Sequence, residues 1–262
     1  MADHRKLLQI KHETVITYFY FVTIYYKKTG DDMKRKIEMV MAVFFVAISL
    51  MASVWGVSVV SAKKTAKNLR VVIDPGHGGS DPGKVAVDGT MEKDVNLQIA
   101  LALGQYLKKH GVDVYYTREN DCTLCQEEGG SKKARDLQKR CQIVEHCKPD
   151  MTISIHQNSY PDASVCGAQV FYYSTSEKSR ILAESIQETL VAMVDASNHR
   201  KAKANDSYYM LRKTISPTVI VECGFLSNEK ECQNLQDEKY QQKIVKAIYE
   251  GMIRYVQMEN GG

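Results

Sequence analysis

From Val71 onward, short β-branched runs alternate with longer stretches of helical periodicity, and each run breaks off at a turn or a polar residue. Val71–Ile73 leads into the turn DPGHGG. Residues 94–110 then carry Val95, Leu97, Ile99, Leu101, Leu103 and Leu107 among good helix formers, and Gly111 follows as a stop. The pattern continues with a strand at 112–117, a helix at 131–147, the strand MTISIH at 151–156, a strand at 167–173 and a helix at 177–194. A strand over 218–221 ending at Glu222 and a helix over 240–256 complete it. This alternation predicts a single α/β domain with a mostly parallel twisted sheet of about six strands flanked by helices. In such sheets ligands gather outside the carboxyl ends of the strands. His77, His156 and Glu222 all fall there, on three different strands.

The first 62 residues follow another logic. Residues 39–62 hold no charged side chain, and Lys34, Arg35 and Lys36 lie just upstream. That is a basic region followed by an export segment. Small residues at Val60, Ser61 and Ala62 suit cleavage after Ala62, while an apolar run of about 20 residues is also long enough to stay as a membrane-spanning anchor. Residues 33–62 are therefore a signal peptide or a signal anchor, and residues 63–262 are expected outside the cytoplasm, because the basic cluster stays inside. Residues 1–32 are a doubtful extension, since such signals begin near an initiating methionine, here Met33. Thr14–Tyr26 is short for a second membrane segment.

With 35 basic and 31 acidic side chains the net charge is only +4, which argues against a chain built to grip nucleic acid. A nucleotide loop is also excluded. Gly78–Lys84 (GGSDPGK) has the spacing of a phosphate loop, but Val85 stands where a magnesium-binding hydroxyl is needed and Pro82 removes a backbone donor. All seven cysteines lie beyond residue 121. Cys122 and Cys125 form a CxxC that suits a disulfide or loop thiols better than a structural zinc site, because Cys141 recurs with Leu137 and Val144 at helical spacing as a buried apolar position.

Two imidazoles and a carboxylate are a ligand set for catalytic zinc, which keeps a fourth position open. Spacing does not choose the carboxylate among Asp81, Asp88, Glu92 and Asp94, although Glu92 at a helix entrance is placed to fold back over the turn. Glu222 is then a ligand or a general base. Against these readings stand a hydrogen-bonded core histidine at 156 and a structural pairing of Glu222 with Arg118 or Arg140. His110 and His146 sit near helix C-termini, where the helix dipole accounts for them.

Five segments in order, VVIDPGHGGSDPG, MEKDVNL, VYYTREND, SIHQNS and VIVECGFLSN, resemble the zinc-dependent N-acetylmuramoyl-L-alanine amidases of the amidase_3 type, over about residues 70–256. RKAKANDSYYMLRKT and KYQQKIVKAIYEGMIRY, with the N-terminal apolar segment, are similar to the spore-cortex (CwlD-type) members. The resemblance implies zinc on His77, Glu92 and His156, with Glu222 as catalytic base and proton donor. It also implies hydrolysis of the amide between N-acetylmuramic acid and L-alanine in peptidoglycan, with a role in cortex maturation and germination, and leaves room for an accessory protein partner. Asn158, Tyr208 and Tyr209 are candidate substrate contacts. Cys223 departs from the usual Val or Leu and is expected to be a small strand residue. A metal-free peptidoglycan-binding module and a zinc peptidase acting within the stem peptide are the competing expectations.

Overall fold

The computed structural model describes residues 69–125 and 131–261, together with Ala42 and Val43. The chain divides into two units, 1–59 and 60–262, and every described residue but those two belongs to the second. The expected extension at 1–32 and, those two residues apart, the export segment at 33–62 lie outside the described residues. Among the described residues no helix is long and apolar enough to cross a membrane.

In chain order the second unit contains β1 (Arg70–Pro75), α1 (Glu92–Lys109), β2 (Asp113–Tyr116), α2 (Lys132–Cys147), β3 (Met151–Asn158), β4 (Gln169–Tyr172), α3 (Glu177–Met193), β5 (Lys203–Ala204), α4 (Tyr209–Lys213), β6 (Thr218–Phe225), α5 (Glu229–Gln236) and α6 (Glu238–Gly261). The strands form one six-stranded sheet in the order β2-β1-β3-β6-β4-β5. Every pairing is parallel except β4 with β6. The α/β, mostly parallel expectation therefore holds, with one antiparallel step next to β6.

Alternation along the strands separates two faces. Val71 and Ile73, Met151, Ile153 and Ile155, and Val219, Val221 and Cys223 belong to a continuous core with Ile99, Leu103, Leu182, Ile186, Ile244 and Ile248 of α1, α3 and α6. The opposite face has only small apolar clusters, around Val72, Val144 and Met210 and around Phe171, Leu211 and Ile220. On that face lie Asp74, Ser154, His156 and Glu222, aligned by the pairings Asp74↔Ser154 and His156↔Glu222.

Three local differences from the sequence expectation have clear causes. His156 and Glu222 do not close their strands. β3 and β6 run on past them through an irregularity between His156 and Asn158, and Leu226 N donates to the Asn158 carbonyl. The helix expected at 240–256 forms unbroken inside the longer α6, and α5, which was not expected, precedes it: Asp237 ends α5 in an extended conformation while its carboxylate accepts from Tyr240 N in the first turn of α6. The elements β5 and α4, of two and five residues, are too short to leave a period in the sequence.

Candidate active site

The turn after β1 is held in an uncommon shape. His77 adopts φ 59°, in the left-handed region, followed by Gly78 at φ 134° and Gly79 at φ 57°. A β-branched or bulky side chain seldom accepts such a backbone without outside help. Two buried arginines supply it. Arg118 donates to the carbonyls of Pro75 (3.0 Å) and Gly76 (2.9 Å), and Arg140 to those of Pro75 (2.7 Å) and His77 (2.6 Å). Arg140 is in turn paired with Asp74 and Asp136, both at 2.7 Å. Burial alone would raise the Asp74 carboxyl, but Arg140, Ser154 and Thr117 hold it down at about 2. The expectation that Arg118 or Arg140 pairs with Glu222 is therefore overturned: their capacity is spent on the turn and on Asp74.

α1 brings the third group. Its first backbone donors are satisfied by the preceding loop, Glu92 N by the Lys84 carbonyl (2.8 Å) and Lys93 N by that of Pro82 (3.1 Å). This docking turns the Glu92 side chain back over the turn, where Oε2 accepts from Lys84 N at 2.8 Å and Oε1 from Gln157 N at 3.1 Å. Glu92 Oε1 lies 3.2 Å from His77 Nε2 and 3.0 Å from His156 Nδ1. One potential ligand atom from each of the three residues lies within 4.8 Å of the others. The Asp81 carboxylate sits 2.9 Å from the other ring nitrogen of His77 and fixes its orientation. The remaining carboxylates considered from the sequence stay apart: Asp94 is exposed, and Asp88 accepts from Gln236 at 3.1 Å.

The donor set fits a zinc ion. Ligand atoms about 2 Å from an ion at tetrahedral angles are about 3.3 Å from one another, close to the two separations seen here. Burial by itself would raise the Glu92 carboxyl, yet hydrogen bonding and charge from His156 and His77 hold it far below the ordinary range. Close approach is built into the backbone as well. A β-carbon at Gly76 would collide with the His156 ring, and one at Gly83 would lie 2.5 Å from Glu92 Oε2.

Glu222 lines the same cleft, of about 640 Å³, as His77, Glu92 and His156. It is only 6% exposed. Its Oε1 accepts from the Tyr208 hydroxyl at 3.4 Å, and its buried Oε2 has no hydrogen-bond partner among the described residues. Burial pushes the carboxyl up to about 7, opposed by the charge of His156 and reinforced by that of Glu92. Asn158, Tyr208 and Tyr209 line the cleft too. Cys223 is fully buried in the core, and burial drives its thiol upward, as befits a packing residue. All seven cysteines are free, so Cys122 and Cys125 are loop thiols and not a disulfide.

Sequence reasoning overlooked Asp74 and raised the two arginines only as rival partners for Glu222. A signal for Arg140 existed. It sits three residues after Leu137, on the stripe formed with Cys141 and Val144, where a charged side chain must find a buried partner.

Residues 71–254 match the family Amidase_3, N-acetylmuramoyl-L-alanine amidase. The chain belongs to this family. Among its relatives, the germination-specific N-acetylmuramoyl-L-alanine amidase of Bacillus subtilis (strain 168) is 39% identical over 189 residues, covering 71% of this chain and 78% of the relative. The structure of the CwlD amidase of Clostridioides difficile, solved in complex with the GerS lipoprotein, is 41% identical with a TM-score of 0.71, covering 73% of this chain and all of that one. The catalytic domain of CwlV, an N-acetylmuramoyl-L-alanine amidase of Bacillus (Paenibacillus) polymyxa, gives 29% identity and a TM-score of 0.64 over 72% and 98% of the two chains. The amidase is thus similar to a germination-specific amidase as well as to other N-acetylmuramoyl-L-alanine amidases.

Proposed function

We propose that this amidase hydrolyses the amide between the lactyl group of N-acetylmuramic acid and L-alanine in peptidoglycan, with His77, Glu92 and His156 as zinc ligands and Glu222 as general base and acid. The observation that carries this reading is the pairing of two unlike carboxylates in one cleft. Glu92 is locked between two imidazoles, and Glu222 is buried, raised to about 7 and left with a free oxygen. Zinc held by the three side chains would supply positive charge that polarises the amide carbonyl and acidifies water at its open position.

The residues of the chain do the rest. Glu222 in its ionised form accepts a proton from water as the new C–O bond forms, and returns that proton to the amide nitrogen as the C–N bond breaks. An alkyl amine leaves poorly unless it is protonated, so one group that both takes and gives a proton near neutral pH suits both halves of the step. Tyr208 holds Oε1, and Oε2 has no hydrogen-bond partner among the described residues, which leaves it available for the proton. In this reading Asn158 and Tyr208, which line the cleft, contact the glycan or peptide.

Similarity to the germination-specific enzyme and to CwlD supports a role in spore-cortex maturation, in which the cleaved muramic residues become muramic δ-lactam. It also supports action outside the cytoplasm, in the forespore intermembrane space, with residues 33–62 as export signal or membrane anchor. An accessory lipoprotein partner fits the same comparison. The test is mass spectrometry of purified peptidoglycan after incubation with the protein. Intact stem peptides with a free L-alanine amine, lost on chelation and restored by zinc, are expected. Cleavage within the stem peptide, or binding without turnover, would overturn the reading.

A further inference from the structure

The geometry points to Asn96 as the positioning residue that locks the three proposed zinc ligands into one preformed cluster, an inference that rests on the zinc reading above. Asn96 is fully buried on the face of α1 that otherwise presents Val95, Ile99, Leu103 and Leu107 to the core. An asparagine there is a poor helix former and brings a polar amide into an apolar layer. Its hydrogen bonds account for its presence. The amide nitrogen donates to the Gly76 carbonyl at 3.1 Å and to Glu92 Oε1 at 3.3 Å, and Oδ1 accepts from Gln157 Nε2 at 3.1 Å. The partners fix the amide's orientation, because a carbonyl and a carboxylate can only accept.

Each of these bonds ends on a ligand or beside one. Gly76 precedes His77, Gln157 follows His156, and Glu92 lies one helical turn before Asn96 on the same face of α1. One side chain therefore ties together the turn after β1, the start of α1 and the end of β3, the three segments that deliver the ligands. The connection is closed into a ring, since Gln157 N also donates to Glu92 Oε1 at 3.1 Å. Donation to Oε1, the oxygen that faces both imidazoles, directs the carboxylate plane toward His77 and His156. Removing the amide would leave Gln157 Nε2 short of a partner in a buried site, leave the Gly76 carbonyl to Arg118 alone and take away the donation that helps to orient Glu92 Oε1.

The test compares the full-length wild type with Asn96→Ala and Gln157→Met. Zinc affinity is read by competition with a chromophoric chelator, and ligand geometry by the visible absorption of the cobalt(II) form. Thermal melting of the metal-free chain reports stability separately. Asn96→Ala is expected to bind zinc about 10–100-fold more weakly and to alter the position or intensity of the cobalt bands. Gln157→Met, which removes one bond of the ring and keeps both donations from Asn96, is expected to lose less affinity, about threefold to tenfold. A merely structural asparagine would lower the melting temperature and leave zinc affinity and cobalt spectrum of the folded protein unchanged, and that result overturns the inference. If Asn96→Ala does not fold, Gln157→Met decides, and wild-type affinity there overturns it. A wild type that binds neither ion brings down the zinc reading and this inference together, whereas unaltered binding in both variants brings down this inference alone.

Discussion

On the side of the sheet covered by α1, α3 and α6, the three central strands present Val71, Ile73, Ile153, Ile155, Val219 and Val221, all fully buried. The alternate positions of the same strands carry Asp74, Ser154, His156 and Glu222, of which Asp74, His156 and Glu222 line the cleft. Because side chains alternate strictly, a shift of one residue in register would exchange the two sets. The contrast shows how an ordinary core supports an expensive site. Apolar burial on one face stabilises the fold, which lets the cleft side keep three carboxylates (Asp74, Glu92 and Glu222), two imidazoles and two arginines at low exposure. Asp74 and Glu222 then diverge through their surroundings alone: Arg140 and two hydroxyls hold Asp74 at about 2, while Glu222, buried with one tyrosine contact, rises to about 7.

The largest effects are expected where the polar face is broken. Glu222→Gln should lower kcat by about 10²–10⁴-fold with zinc content unchanged, measured by turnover of purified muropeptides and metal analysis. On the apolar face, Ile153→Ala should cost about 2–5 kcal/mol in denaturant unfolding, while the folded protein keeps its turnover. The reverse pattern in either variant would mean that the faces do not divide the labour in this way.

Glu222 also separates function from stability. Its native carboxyl is raised above the ordinary 4.5, so the metal-free fold is favoured by protonation and loses stability as pH rises from there through about 7. Glu222→Gln should remove that slope and stabilise the metal-free protein above pH 7 by on the order of 1–3 kcal/mol, measured by unfolding across pH. Turnover has the opposite dependence. It needs the ionised base, so activity should fall about tenfold for each unit of pH below the Glu222 midpoint, and positive charge bound at the cluster should move that midpoint downward.

Ser154→Ala should have the smallest effect, about 1 kcal/mol, because Asp74 keeps Arg140 and Thr117. Asp74 is depressed below its ordinary value, so its contribution is present above about pH 4 and is lost as pH falls toward 2. In Ser154→Ala the folded Asp74 carboxyl titrates higher, so that loss starts at the same pH but should be smaller and complete at a higher pH, read from unfolding measured across acid pH.

The strand alternation made the core face legible in the sequence, and His77, His156 and Glu222 could be placed at one sheet edge because each follows or ends a β-branched run. The choice of Glu92 over Asp81, Asp88 and Asp94 was not legible from spacing. It depends on how the loop at 82–84 docks onto the first turn of α1, a contact among residues without a period. Asn96 was hidden for a related reason: a polar residue inside a helical pattern looks like a solvent-facing position until the chain segments it joins are brought together. The two-residue β5 and five-residue α4, which precede and follow Tyr208, were below the length at which periodicity can speak.

The proposed chemistry requires that His77, Glu92 and His156 hold one ion while Glu222 stays free to move a proton. Anomalous diffraction at the zinc edge from crystals grown with zinc tests it most directly. A single peak among those three side chains, with both Glu222 oxygens outside bonding distance of it, is the predicted result. No peak there, or a peak to which Glu222 is bonded in place of one of the three, would contradict it.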